Sequence, residues 1–339
     1  MSNKSPVESN FSWAFYLPVS FLFSLFFYSS QCNAEASSPF LTRDQNPLVM
    51  IYGLPLPTAA RIIKQNKVRL STSLNISNTI NAENIAGESL FIDAETYQLN
   101  LLLEYGLNKN WMMKFQLPMI ANNGGFLDSW IDRYHQLLNL PEYIRPLNPL
   151  DRFQINYQRN GSSLINLQQR TSGIGDASIQ LGYQATSTTD FNLSYWSSLK
   201  LPTGDAQKLT GSGSTDLALW LAADQGLKKD KWLFGNLGIM FMSDGDLMPD
   251  IQKNTVLFGS AGFQMHPWEK ILLKLQLDGH SAFYDSNIRF LGPVVQLSFG
   301  GSVLFKSSSL DIVITEDIQV RASPDVSFNL SWKILLGKL

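Results

Sequence analysis

Thiol chemistry is nearly absent from this sequence. Its one cysteine, Cys32, lies in a stretch that reads as a cleavable leader. The mature chain is therefore expected to hold no disulfide framework and no cysteine-ligated metal. Histidine is scarce too, three residues in 339, which leaves few options for proton-transfer catalysis. Charged residues make up 16% of the chain, well below the ~25% of ordinary soluble domains. A net charge of -2 excludes a general nucleic-acid binder, which needs a strongly basic surface. Beyond residue 28 no apolar run approaches the ~20 residues of a spanning helix, so a helical membrane protein is excluded as well.

What is present begins with an address. Trp13 to Tyr28 is apolar, too short to span well, and broken by Pro18. Small-residue cleavage sites follow at Cys32-Asn33-Ala34 and Ala34-Glu35-Ala36. Residues 1–34 read as a secretory signal peptide, and residues 35–66 as a periplasmic N-terminal segment.

From residue 67 a period of two takes over. In ILLKLQLDGH, residues 271–280, Ile271, Leu273, Leu275 and Leu277 share one face, with Lys274, Gln276, Asp278 and His280 on the other. Tyr97 to Tyr105, Trp111 to Leu117, Phe191 to Leu201 and Val326 to Ile334 repeat the pattern. The whole amounts to about twelve strands of ~10 residues, the length that a tilted strand needs to cross a bilayer. Short connections (Gly106–Asn110, Thr186–Asp190, Gly226–Lys231, His266–Lys270, Lys306–Ser309) alternate with longer ones (Asn81–Gly87, Ala121–Ser172, Pro202–Gly213, Ser243–Lys253, Ser281–Asn287, Glu316–Pro324). Trp111, Tyr183, Trp232, Trp268 and Phe305 crowd the short turns, as a headgroup girdle would.

The expected fold is all-β: a closed antiparallel transmembrane β-barrel over residues 67–339, in the outer membrane of a Gram-negative bacterium. Closure is required because an open strand edge in hydrocarbon leaves backbone groups unpaired, at several kcal/mol each. Lys114, Gln116, Lys200, Lys274, Gln276, Asp278, His280 and Lys333 then line the lumen.

The third long connection, 121–172, breaks the rhythm. Leu127, Trp130, Ile131, Tyr134 and Leu138 recur at helical spacing, Asp128 stands near the start, and Pro141 ends the run. A short amphipathic helix is expected on the outer side or in the mouth. Phe126, Asp128, Trp130, Arg133, His135 and Arg145 are the candidate constriction. A hairpin is expected around Asn160-Gly161.

Catalytic candidates are thin. Asp278, His280 and Ser281 lie near the rim where outer-membrane lipid hydrolases place such groups, yet Ser281 falls on the opposite face from the other two. No metal set and no cofactor motif is read: Gly173-Ile174-Gly175-Asp176 and Gly211-Ser212-Gly213 do not join a strand to a helix, so they are taken as relaxed strand ends.

The chain resembles a domain-of-unknown-function family of Gram-negative outer-membrane β-barrels. The resemblance rests on Asn46-Pro47-Leu48, Gly53-Leu54-Pro55, Asp93-Ala94-Glu95-Thr96-Tyr97 and above all Gly124-Gly125-Phe126-Leu127-Asp128 with His135, Leu140-Pro141 and Arg145. It continues through Gly173-Ile174-Gly175-Asp176, Leu201-Pro202-Thr203-Gly204-Asp205, Glu316-Asp317 and Pro324-Asp325. The Leu-Pro-Thr-Gly segment is also similar to barrels described as transporters near aromatic-degradation genes. The resemblance implies an outer-membrane barrel and no particular substrate. Such barrels commonly end on an aromatic residue read by the assembly machinery, whereas Gly337-Lys338-Leu339 ends here. The expected function is a narrow channel or binding barrel for small solutes. The alternatives are a plugged structural barrel or, third, a surface lipid hydrolase using His280. Expected partners are outer-membrane lipids, the barrel-assembly machinery and a small solute; the oligomeric state is left open.

Overall fold

The computed structural model describes residues 38–85, 87–127, 133, 151–227, 230–318, 323–324 and 326–337. The leader therefore lies outside the described residues. So does nearly all of the segment 127–138 expected as a helix.

The strands run β1 (Val68–Ile85), β2 (Glu88–Gly106), β3 (Trp111–Asn123), β4 (Gln154–Arg159), β5 (Ser162–Leu167), β6 (Thr171–Ile174), β7 (Ser178–Ser187) and β8 (Phe191–Lys200). Then follow β9 (Asp216–Leu227), β10 (Lys231–Met242), β11 (Thr255–Trp268), β12 (Ile271–His280), β13 (Val294–Leu304), β14 (Ser308–Asp317) and β15 (Val326–Leu336). Twelve of them, β1 to β3 and β7 to β15, form a closed antiparallel ring. The last strand seals it: β15 pairs with β1 from Val68↔Leu336 to Asn78↔Val326. No barrel strand is left with a bare edge, which is what hydrocarbon surroundings demand.

Three short strands build a lip at the long-loop rim. β1 and β2 stay paired up to Ile85↔Glu88, well past the end of β15. The connection expected at Asn81–Gly87 is thus mostly ladder. β4 extends the sheet beside β2, β5 pairs with β4, and β6 pairs with β3. The β4–β5 turn is the Asn160-Gly161 hairpin, with φ of 50° and 80°, the left-handed pair that a type I′ turn requires.

Alternation decides which solvent each face meets. On β12, Leu273, Leu275 and Leu277 are 38%, 49% and 42% exposed, whereas Lys274, Gln276 and Asp278 are buried. The polar side chains therefore face the interior and the leucines face out, the reverse of a soluble sandwich. Large inward aromatics lie over glycines of the next strand: a Cβ on Gly182 would come within 2.6 Å of Trp196, and one on Gly238 within 2.5 Å of Phe258.

The interior is filled by the chain's own N-terminal segment. Residues 38–66, expected in the periplasm, run inside the ring instead. Ser38 lies near the short-turn rim, where its Oγ accepts from Lys333 Nζ (2.8 Å). The chain climbs along β12: Phe40 N–H donates to Gln276 (2.9 Å), Thr42 donates to Asp278 (2.8 Å), and Asp44 meets His280 (3.1 Å). It turns over at Asn46–Tyr52 under the outer loops. It descends past Asp216, Asn236 and Gln184, and leaves at Asn66, whose N–H donates to Gly106 O (2.8 Å). Arg43 braces the two arms, donating to Leu54 O (2.8 Å) and Met50 O (3.0 Å). The physical reason for the correction is the run Leu48–Tyr52: five consecutive apolar residues, all essentially buried, would face water in a periplasmic segment.

Candidate functional site

The lumen is where this chain concentrates charge and polarity, so it is the candidate site. Four clusters bind the plug to the wall or stiffen the wall around it. Near the short-turn rim, Asp311 lies between Lys333 (3.0 Å) and Lys274 (3.6 Å). Lys274 also donates to Ser38 O (2.6 Å) and sits 4.8 Å from the Phe40 ring. A second group at the same end joins Glu104 to Arg69 (3.3 Å) and Lys114 (3.2 Å), and Lys114 lies 5.0 Å from the Trp196 ring.

Midway, Gln276 is the hub of the ascending arm. It accepts from Phe40 N–H and donates to Thr42 Oγ1 (3.0 Å) and to Asp278 (3.0 Å). Near the long-loop rim, Lys200 donates to Asp176 (2.7 Å) and pairs with Asp216 (3.0 Å), with Ser212 and Ser214 beside it. Asp216 in turn accepts from the plug's Gly53 N–H (2.7 Å).

This upper cluster gives the glycine-rich segments a role that strand-end relaxation misses. Asp176 of Gly173-Ile174-Gly175-Asp176 accepts from Gly204 N–H (2.8 Å) and Ser212 N–H (3.0 Å). Thr203 donates to Gly175 O (2.8 Å). Two loops far apart in sequence are thereby tied to one buried carboxylate and one buried ammonium. A similar cradle holds the start of the insertion. Glu95 of β2 accepts from the N–H groups of Phe126 (2.9 Å) and Leu127. Gly125 (φ +69°) passes so close that a Cβ would fall 1.8 Å from the Glu95 carboxyl carbon. Only glycine fits there.

All eight expected lumen residues (Lys114, Gln116, Lys200, Lys274, Gln276, Asp278, His280 and Lys333) are buried on the inner face. The three catalytic candidates are not assembled for proton transfer. His280 Nε2 meets Asp44 and Nδ1 lies 2.9 Å from Ser281 O. Ser281 Oγ accepts instead from Leu257 N–H (3.0 Å) on the neighbouring strand. Asp278 is taken up by Thr42 and Gln276. Of the expected constriction, Phe126 is 57% exposed and Arg133 is exposed; Asp128, Trp130, His135 and Arg145 lie outside the described residues. The constriction that is described is the plug. Thr42, Arg43, Asp44, Asp176, Asp216 and Asp311 are the site residues that the period-2 pattern missed.

The spaces left between plug and wall are small. Cavities of about 30, 30 and 20 Å³ lie there, each room for roughly one to three waters at ~10–15 Å³ per water. Tyr284, in the loop over the apex, donates to Leu48 O (2.6 Å). Burial holds its phenol well above the ordinary value, with Tyr52 adding to the shift, so the donor is a neutral hydroxyl.

Fold and site define a twelve-stranded closed β-barrel with a lipid-type exterior and a self-plugged interior. The chain belongs to the family described as Protein of unknown function (DUF3187), whose model matches residues 16–334. Among solved structures it is similar to the COG4313 outer membrane channel from Pseudomonas putida F1, at 12% identity and TM-score 0.56, over 83% of this chain and 99% of that one. It is also similar to KdgM porin in complex with disordered oligogalacturonate (6% identity, TM-score 0.43, 78% and 98% covered). A third is the CymD monoaromatic hydrocarbon channel (11%, 0.37, 87% and 92%). At these identities the likeness is one of fold. No curated protein matches the chain.

Proposed function

We propose that this protein is an outer-membrane passage barrel for small solutes, held shut by its own residues 38–66. The observation that carries the proposal is how the plug is held. Its bonds to the ring run mostly between side chains of one and backbone or side chains of the other. The ring's own ladder does not depend on them, so the plug can leave without opening the barrel. Each such bond is worth ~0.5–1.5 kcal/mol net, more where one partner is charged. The resemblance in fold to an outer membrane channel supports the same reading. The short-turn rim is proposed to face the periplasm, since both arms of the plug reach it. The Gly124–Arg145 insertion is proposed as an outer cap. The lumen carries both charge signs, so ion selectivity is weak.

Planar-bilayer recording tests this. The chain with its plug is expected to conduct little, and deletion of residues 38–58 to raise conductance severalfold. Deletion of Gly124–Pro141 is expected to raise it further in the plug-deleted background. No conductance in any of the three would overturn passage and favour the second reading, a plugged structural barrel, for which the small cavities speak.

A further inference from the structure

The cavity of about 30 Å³ between plug and wall is lined by Thr42, Arg43, Asp44, Trp220, Ser260 and His280, with Leu54, Pro55 and Phe258 supplying apolar surface. Three polar groups in that lining have no partner: Arg43 Nε, Trp220 Nε1 and Ser260 Oγ. Arg43 and Trp220 are only 7% and 4% exposed. An orphaned buried donor costs ~1–3 kcal/mol, and more when charged, so two in one lining call for an occupant. The neighbouring acceptors are already engaged with other donors: Asp44 with His280 and Asn46 N–H, Asp278 with Thr42 and Gln276, Asn236 with the Thr58 backbone; the amide of Gln296, also in the lining, donates to Ser323. The lining side-chain atoms left without a partner are thus two N–H groups, which cannot accept, and one hydroxyl.

We infer that this cavity is a binding site for a small solute that presents an acceptor oxygen, a carboxylate or a carbonyl, on a short apolar body. Arg43 and Trp220 donate to the oxygen, Ser260 completes the contact, and Leu54, Pro55 and Phe258 cover the body. Arg43 and Thr42 belong to the plug, whereas Trp220, Ser260 and His280 belong to the wall. The occupant therefore touches both, and its arrival or departure bears on plug docking. This rests on the passage reading above and names the class of solute that the passage would take.

The test uses the full mature chain in detergent, with its tryptophans labelled with nitrogen-15. Trp220→Phe identifies the Trp220 indole N–H resonance. Acetate (a carboxylate) and acetone (a carbonyl) are titrated, with ethylammonium, a donor-only cation, as the third arm. Acetate and acetone are expected to move the resonance saturably, and ethylammonium is not. Ser260→Ala is expected to weaken binding about fivefold, and Arg43→Lys to weaken acetate about tenfold or more. Retention of heat-modifiable gel mobility shows that each variant is folded. Equal shifts from all three probes, shifts that never saturate, or no shift at all would overturn the site. If plug deletion opens conductance while the titration fails, the site is wrong and passage stands. If the titration succeeds and no chain conducts, the site stands and passage falls.

Discussion

Gln276→Leu isolates the plug from the ring. The side chain is fully buried and nearly isosteric with leucine, so little volume changes. The substitution leaves Phe40 N–H without its acceptor and takes the Gln276 amide donor away from Thr42 Oγ1, which keeps Asp278. Each buried group left unsatisfied costs ~1–3 kcal/mol. That penalty for Phe40 N–H and the lost Thr42 bond, itself worth ~0.5–1.5 kcal/mol, weaken docking of the ascending arm by roughly 1.5–4.5 kcal/mol. At about 1.4 kcal/mol per factor of ten, the undocked population rises at least about tenfold.

The ladder of β12 with β11 and β13 is backbone-made and survives the change. The effect therefore belongs to the plug. Single-channel recording should show openings at least about tenfold more frequent, with the ring's thermal midpoint nearly unchanged. A cysteine placed at Thr42 should become reactive toward a water-soluble maleimide in the variant background and stay protected otherwise. If the midpoint falls while openings stay rare and the cysteine stays protected, plug and ring melt as one unit, and the gating argument is refuted.

Other perturbations reach the remaining features. Lys200→Met strands Asp176 and Asp216 without their cation, and breaking a buried pair in this way should cost about 3–5 kcal/mol in urea unfolding; Lys200→Met with Asp216→Asn should recover part of it. Leu275→Lys, on the outward face, should destabilise the barrel in lipid by ~2–4 kcal/mol if it lies near the bilayer midplane; at a soluble surface the change would stay within ~0.5 kcal/mol. Tyr284 is raised by burial, so its stabilisation is complete below the ordinary phenol value of ~10 and falls as pH rises beyond it. Conductance should therefore increase in alkali, and Tyr284→Phe should flatten that rise.

The sequence made the wall legible and hid the plug, for one physical reason. A strand in a barrel meets two solvents in alternation, so Leu273, Lys274, Leu275 and Gln276 declare their faces residue by residue. Residues 38–60 are enclosed by the ring and pair in no ladder, so no period marks them. Their partners are side chains of distant strands: Thr42 meets Asp278, Gly53 meets Asp216, Ile62 meets Gln184. The usable signal was composition, since Leu48–Tyr52 has no place in water. Asn81–Asn84 misled in the opposite direction. Polar residues there suggest a loop, yet the hairpin needs only their backbone. Asp176 was legible as part of a glycine-rich block, but only the fold shows that the block closes on Lys200.

The lumen's chemistry also explains why a plug of this kind is needed. Alternation that turns leucine outward turns lysine inward, and near the short-turn rim two ammonium groups, Lys274 and Lys333, share the single carboxylate of Asp311. A buried cation needs partners that offset its lost hydration. The plug supplies several: Ser38 O and the Phe40 ring to Lys274, and Ser38 Oγ and Pro39 O to Lys333. Whatever replaces the plug must solvate those two cations equally well. Water can do so and an apolar solute cannot, so the proposed open state would be wet at that rim. The solute inferred above would meet its apolar contacts higher up, where Trp220, Phe258 and Leu54 line one cavity with Arg43.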